Sequence, residues 1–183
     1  MASRTRDNGH EEGQTLALPN GVDIPFRVIQ PDDVPALQRF HGRLSEKSIY
    51  LRFFGSLKEF PEEKAQYFCH VDGIDHFALV ALDPDSPDEI IALARYDREP
   101  SSDKAEYAAL VEDSWQGYGV GIALTRELIS EARDRGVRCF YALVMGENRR
   151  MLELLRHLGL PEQEHREGGN VKHVEVELSS EGL

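Results

Sequence analysis

Residues 111–123 read VEDSWQGYGVGIA, the end of an apolar, strand-like run passing through glycines at alternate positions into a helical pattern. No other feature constrains the fold as much. A helix entered directly from a strand presents its first N–H groups in one direction, and its dipole adds partial positive charge there. Gly117, Gly119 and Gly121 have no side chains to hold an anion away from that main chain. The segment has the make-up of a pyrophosphate cradle built without lysine; the alternative is a tight turn that lets the helix pack closely. The dinucleotide spacing G-x-G-x-x-G fails at Ile122 and Ala123, and no P-loop lysine follows.

Periodicity places the remaining elements around this junction. A strand is expected over 22–30, then a helix opened by Pro31 and capped by Asp32, with Val34, Leu37, His41 and Leu44 on its buried face. Further helical pieces follow Ser45 and Pro61, the second burying Ala65 and Phe68. Runs at 76–82, 89–96 and 105–112 form a three-strand meander. Val120, Leu124, Leu128 and Ala132 then repeat every four residues along a helix that Gly136 ends. A strand at 139–145 leads to a helix capped by Asn148, with Met151, Leu154, Leu155 and Leu158 as its core stripe. Residues 171–178 alternate as a closing strand. The polar residues 1–20 read as a disordered tail, and 21–180 as one domain. The order predicts an α/β (α+β) fold, a mixed central sheet with helices on both faces, which by itself fixes no function.

Thirty-three acidic against 21 basic side chains give a net charge of −12. That balance disfavours nucleic acid and attracts cationic partners, or simply maintains solubility. Cys69 and Cys139 are too few for a disulfide framework, and Cys69, His70 and His76 lack a zinc spacing, so no metal is expected. No apolar run reaches the roughly 20 residues of a membrane span and no signal pattern opens the chain, which predicts a cytoplasmic protein without membrane contact.

Gln116-x-x-Gly119-x-Gly121 resembles the Q/R-x-x-G-x-G/A signature of the GNAT N-acetyltransferases, and the flanking order of meander, long helix, strand and helix is similar too. Glu147, Asn148, Arg149, Arg150 and Met151, with Leu158, Gly159 and Leu160 beyond, resemble that family's second landmark. Ser48, Arg52, Phe53 and Phe54, and the stretch Ala105, Glu106, Tyr107 and Ala108, are similar to segments of bacterial protein-lysine acetyltransferases.

The resemblance implies acetyl-CoA as co-substrate and a primary amine, on a protein lysine, as acceptor. The alternatives are a small amine (polyamine or amino sugar) or a non-catalytic acetyl-CoA sensor. It implies that the main chain of Leu110 and Val111 pairs with the pantetheine arm. Gln116, Gly117, Tyr118, Gly119, Val120, Gly121, Ile122 and Ala123 would hold the pyrophosphate, and Asn148 would serve the pantetheine side, cap its helix, or do both. An alkyl ammonium with a pKa near 10.4 must lose a proton before it can attack a thioester. Glu106 is the implied base, desolvated by Tyr107 and small neighbours, unless it is merely an exposed strand-start glutamate; Glu112 is the backup. Many family members carry a tyrosine as general acid where this chain has Leu155. The last strand and the edge of the meander offer pairing surfaces for a homodimer.

Overall fold

Residues 77–82 and 90–94 are apolar on both faces because the strands they belong to are covered on both sides there. The structure, a computed structural model, describes residues 13–178. In chain order these form β1 (Thr15–Ala17), β2 (Asp23–Val28), α1 (Val34–Gly42), α2 (Glu46–Phe53), α3 (Glu62–Cys69), β3 (His76–Leu82), β4 (Ile90–Arg98), β5 (Lys104–Val111), α4 (Val120–Asp134), β6 (Cys139–Met145), α5 (Arg149–His157), β7 (Glu162–Gly168) and β8 (Val171–Glu177). The strands make one sheet in the order β1-β2-β3-β4-β5-β6-β8-β7. Every pairing is antiparallel except β5 with β6.

Side chains alternate across each strand, so the sheet divides the core in two. One cluster packs Phe77, Leu79, Tyr96 and Tyr107 against α4, where the expected stripe Val120, Leu124, Leu128 and Ala132 is buried. The other packs Ala78, Val80, Ile90 and Leu93 against Leu37, Phe40, Ile49 and Phe68 of α1 to α3. Helices therefore cover both faces of a mixed α/β sheet, as the sequence predicts.

Three expectations need correction. The stretch 1–20 is not all tail: Thr15–Ala17 pairs with β2, and Leu16 and Leu18 are buried in the α4-side core. Residues 1–12 lie outside the described residues. The closing strand is the second half of a hairpin, because the polar run Glu162–Gly168 pairs along β8. Consequently neither the last strand nor the meander is an edge; among the described residues β1 and β7 are. On α5 the buried positions are Leu152 and Leu155, whereas Met151 and Leu154 turn to a cleft described below.

Candidate active site

β5 and β6 run side by side but pair over only Lys104↔Cys139, Ala105↔Phe140 and Glu106↔Tyr141. Beyond Glu106 they separate, and a cleft opens between residues 107–111 and residues 142–144. Asn148, Arg150, Met151 and Leu154 of the α5 region and Ser48, Leu51 and Arg52 of α2 complete its walls. β6 keeps its full ladder with β8, so it is the edge towards β5 that loses its partner.

The main-chain accounting follows from two bonds. The Glu112 N–H donates to the Ile91 carbonyl (2.9 Å) and the Glu99 N–H to the Lys104 carbonyl (3.1 Å). With the β4–β5 register these fix the hydrogen-bonded pairs, so even-numbered β5 residues direct their main chain at β4. Leu110, paired with Leu93, is one of them. The main-chain groups turned to the cleft are those of Tyr107, Ala109 and Val111, which shifts the expected pairing positions from Leu110 and Val111 to Ala109 and Val111.

At the wide end, residues 113–121 form the glycine turn. Gly117 (φ 85°) and Gly119 (φ 92°) adopt left-handed conformations that only glycine takes without strain. Gly119 precedes α4 with no side-chain cap, so the first helical N–H groups keep the orphan character expected of a helix start. A Cβ on Gly121 would stand 3.1 Å from Leu154 Cδ1 and 3.2 Å from Val111 Cγ2; one on Gly117 would stand 3.4 Å from Arg150 Nη1. Arg150 is exposed, and its guanidinium stands beside the turn at Gly117. The sequence motif does not single it out.

Two side chains brace this turn. Gln116 Nε2 donates to the Val111 carbonyl (2.9 Å) and to Ser48 Oγ (3.3 Å). The Asp113 carboxylate accepts from the Ser45 N–H (2.9 Å), the Ser45 hydroxyl (2.8 Å) and the Ser48 hydroxyl (3.0 Å), which ties the start of α2 to the turn. Burial alone would push the Asp113 carboxyl up, but these hydrogen bonds together hold it below its ordinary value.

Glu106 stands at the last β5–β6 pair, where the cleft narrows, and lines it. The expected desolvation is absent: Glu106 is exposed. Arg52 faces the same cleft; its guanidinium pKa is lowered by burial and by Arg95, with Glu106 and Asp97 opposing the shift. Glu112 lies outside the cleft lining and is paired with Arg43 Nε at 3.2 Å, which removes the backup base. Asn148 caps α5, its Oδ1 accepting from the Met151 N–H (3.2 Å), and it also lines the cleft. Of the turn residues, Val120 is buried in the core, Tyr118 is exposed away from the cleft lining, and Ile122 and Ala123 are half-buried on α4. Leu155 is buried, and Tyr107 bonds Thr125 Oγ1 at 2.6 Å, its phenol pushed up by burial, so neither offers a free acid.

A strand pair splayed beside a glycine turn is matched in sequence by the model of the "Acetyltransferase (GNAT) family", over residues 45–160. The chain belongs to this family. The GNAT domain of the S. lividans PAT superposes with a TM-score of 0.83 at 31% identity, over 90% of this chain and 96% of that one. Acetyltransferase Pat of Mycolicibacterium smegmatis is 34% identical over 139 residues, 73% of this chain but 40% of that protein. An acetyltransferase of Pseudomonas aeruginosa is 29% identical over 144 residues, 78% of this chain and 77% of that protein. The match thus covers less than half the length of Pat. As a GNAT acetyltransferase it is an enzyme of acetyl transfer, in a family that uses acetyl-CoA. Among the described residues no group of three metal-ligating side chains converges, and no helix is long and apolar enough to cross a membrane.

Proposed function

We propose that the chain acetylates a primary amine, a lysine of a protein, by direct attack of the amine on the thioester of acetyl-CoA with Glu106 as general base. The observation that carries this is the placement of Glu106 at the narrow end of the β5–β6 cleft, opposite the glycine turn. The donor fits these residues. The main-chain groups of Ala109 and the N–H of Val111 turn away from β4 towards an extended arm, and Gly121 leaves the room that a Cβ would fill. The α4 N-terminus and Arg150 supply the positive field for a pyrophosphate. Asn148 holds the start of α5 against the same arm.

Glu106 takes the proton from the ammonium, directly or through water, since its exposed carboxylate is reachable by an incoming cation. The lone pair then attacks the thioester carbon, and the thiolate leaves without a tyrosine acid at position 155. The similarity to proteins named Pat supports lysine over a polyamine or amino sugar.

Isothermal titration with acetyl-CoA, with coenzyme A, ATP and NAD alongside, tests the donor. Glu106→Gln tests the base: turnover on a lysine peptide should fall by about 10²–10⁴-fold with acetyl-CoA affinity retained. A variant that turns over like the wild type removes Glu106 from the chemistry.

A further inference from the structure

The face of the sheet that carries Glu106 is only half covered. Over β3 and β4 it is buried by α1 to α3, and Leu110 of β5 is partly covered with them. Over β6, β8 and β7 it is open: Leu143 is 42% exposed, Tyr141, His173 and Glu175 are half-buried, and Gln163 and His165 are exposed. The register lines these side chains up with the base. Asp97 pairs with Glu106, Glu106 with Tyr141, Tyr141 with Glu175, and Glu175 with Gln163. Directly paired residues project from the same face, so one row crosses the sheet from β4 to β7.

The row has a definite chemistry. Tyr141 stands between the carboxylates of Glu106 and Glu175. Glu175 is 27% exposed in its side chain, pairs with Lys104 Nζ at 3.1 Å and lies 3.5 Å from His173 Nε2. Glu167 bonds His173 Nδ1 at 2.9 Å. Carboxylates and an aromatic ring are the groups that receive a lysine or arginine. The spacing suits an extended chain. Glu175 lies two strands from Glu106, about 10 Å, and alternate side chains of an extended segment are about 7 Å apart, a difference that the reach of an arginine covers.

We propose that this open face docks an extended, cationic segment of the acceptor protein, with Glu175 receiving an arginine or lysine two residues from the acetylated lysine. The inference rests on the lysine acetyltransferase reading given above. Lys104 then acts as the internal counter-ion that the incoming cation displaces from Glu175.

The experiment compares three peptides of one length with a central lysine and arginine, glutamine or glutamate two residues to each side. The arginine peptide should exceed the glutamine peptide by about five- to tenfold in kcat/KM, carried by KM and shrinking with added salt, and the glutamate peptide should be worst. Glu175→Gln should reduce this preference and Lys104→Met should increase it. Both substitutions break the same ion pair, so a merely structural role would move the preference in one direction for both. Equal kcat/KM for the three peptides, or the same shift from both variants, would overturn the docking surface while leaving lysine acetylation standing. Binding of acetyl-CoA with no acetylation of any peptide would overturn the lysine reading, and the docking surface with it.

Discussion

Gln116 closes the glycine turn onto the strand that precedes it: its side-chain amide donates to the carbonyl of Val111 at 2.9 Å, five residues back. The same nitrogen reaches Ser48 Oγ on α2 at 3.3 Å. The first residue of the family signature thus holds the end of β5 in place and points its remaining groups at the cleft. The amide satisfies a carbonyl that the splayed strand leaves without a β6 partner.

Gln116→Ala should therefore weaken acetyl-CoA binding without touching the base. An unsatisfied carbonyl costs about 1–3 kcal/mol, and 1.4 kcal/mol is tenfold in affinity. The dissociation constant measured by titration should rise by about tenfold or more, with kcat on saturating donor changed less. An unchanged constant would mean that water replaces the amide without loss.

Asp113 should make the anchoring of α2 pH-dependent. Its carboxyl ionises more readily in the folded chain than its ordinary value of 3.8. The unfolded chain therefore binds more protons than the folded one in the window just below that value. Stability from this group is complete above about pH 4 and is lost as the pH falls through the folded value. Asp113→Asn should lower the melting temperature at neutral pH and flatten the acid limb of the stability profile. Hydrogen exchange along Glu46–Phe53 should quicken, because the bonds from Ser45 and Ser48 weaken. Parallel acid limbs in wild type and variant would refute the assignment.

Gly119 and Gly121 look alike in the signature but should respond differently to alanine. Gly119 sits at φ 92°, where an L-residue costs about 1–2 kcal/mol, and its Cβ would press on Pro19 Cδ at 3.3 Å. Gly121 lies inside α4, where alanine is favoured by about 1 kcal/mol, and that gain offsets the crowding of Leu154 and Val111. Thermal denaturation should show Gly119→Ala as the clearly more destabilised of the two, by several degrees. Donor affinity should fall in both, since each new methyl group stands beside the cradle.

The glycine turn, the long helix α4 and the three-strand meander are legible because each carries its own period or breaker. What stayed hidden depends on partners far along the chain. β7 is almost wholly polar because it is an edge strand, so no alternation marks it. β1 is three residues long, and only its docking on β2 makes it a strand. Asp113 reads as one more acidic turn residue; its partners, Ser45 and Ser48, are more than sixty residues away. The separation of β5 from β6 after Glu106 is likewise invisible, since both strands continue as apolar runs past the point where they part. The main chain of Leu110 faces β4 and not the cleft, which is hidden in the sequence because a sequence shows where a strand lies but not which neighbour its main chain faces.

Leu155 tests whether the site needs the acid that it lacks. The family resemblance implies a tyrosine at this position, so Leu155→Tyr looks like a restoration. Yet Leu155 is 2% exposed and packed in the α4-side core, while the cleft-facing positions of α5 are Met151 and Leu154. A phenol at 155 adds volume to a filled core, at about 1–3 kcal/mol, and brings a hydroxyl that would need a partner there. The variant should melt lower and show no gain in kcat, and its pH–rate profile should gain no new alkaline limb. A higher kcat with such a limb would show that α5 can turn the phenol to the cleft, and that departure of the thiolate limits the wild-type enzyme.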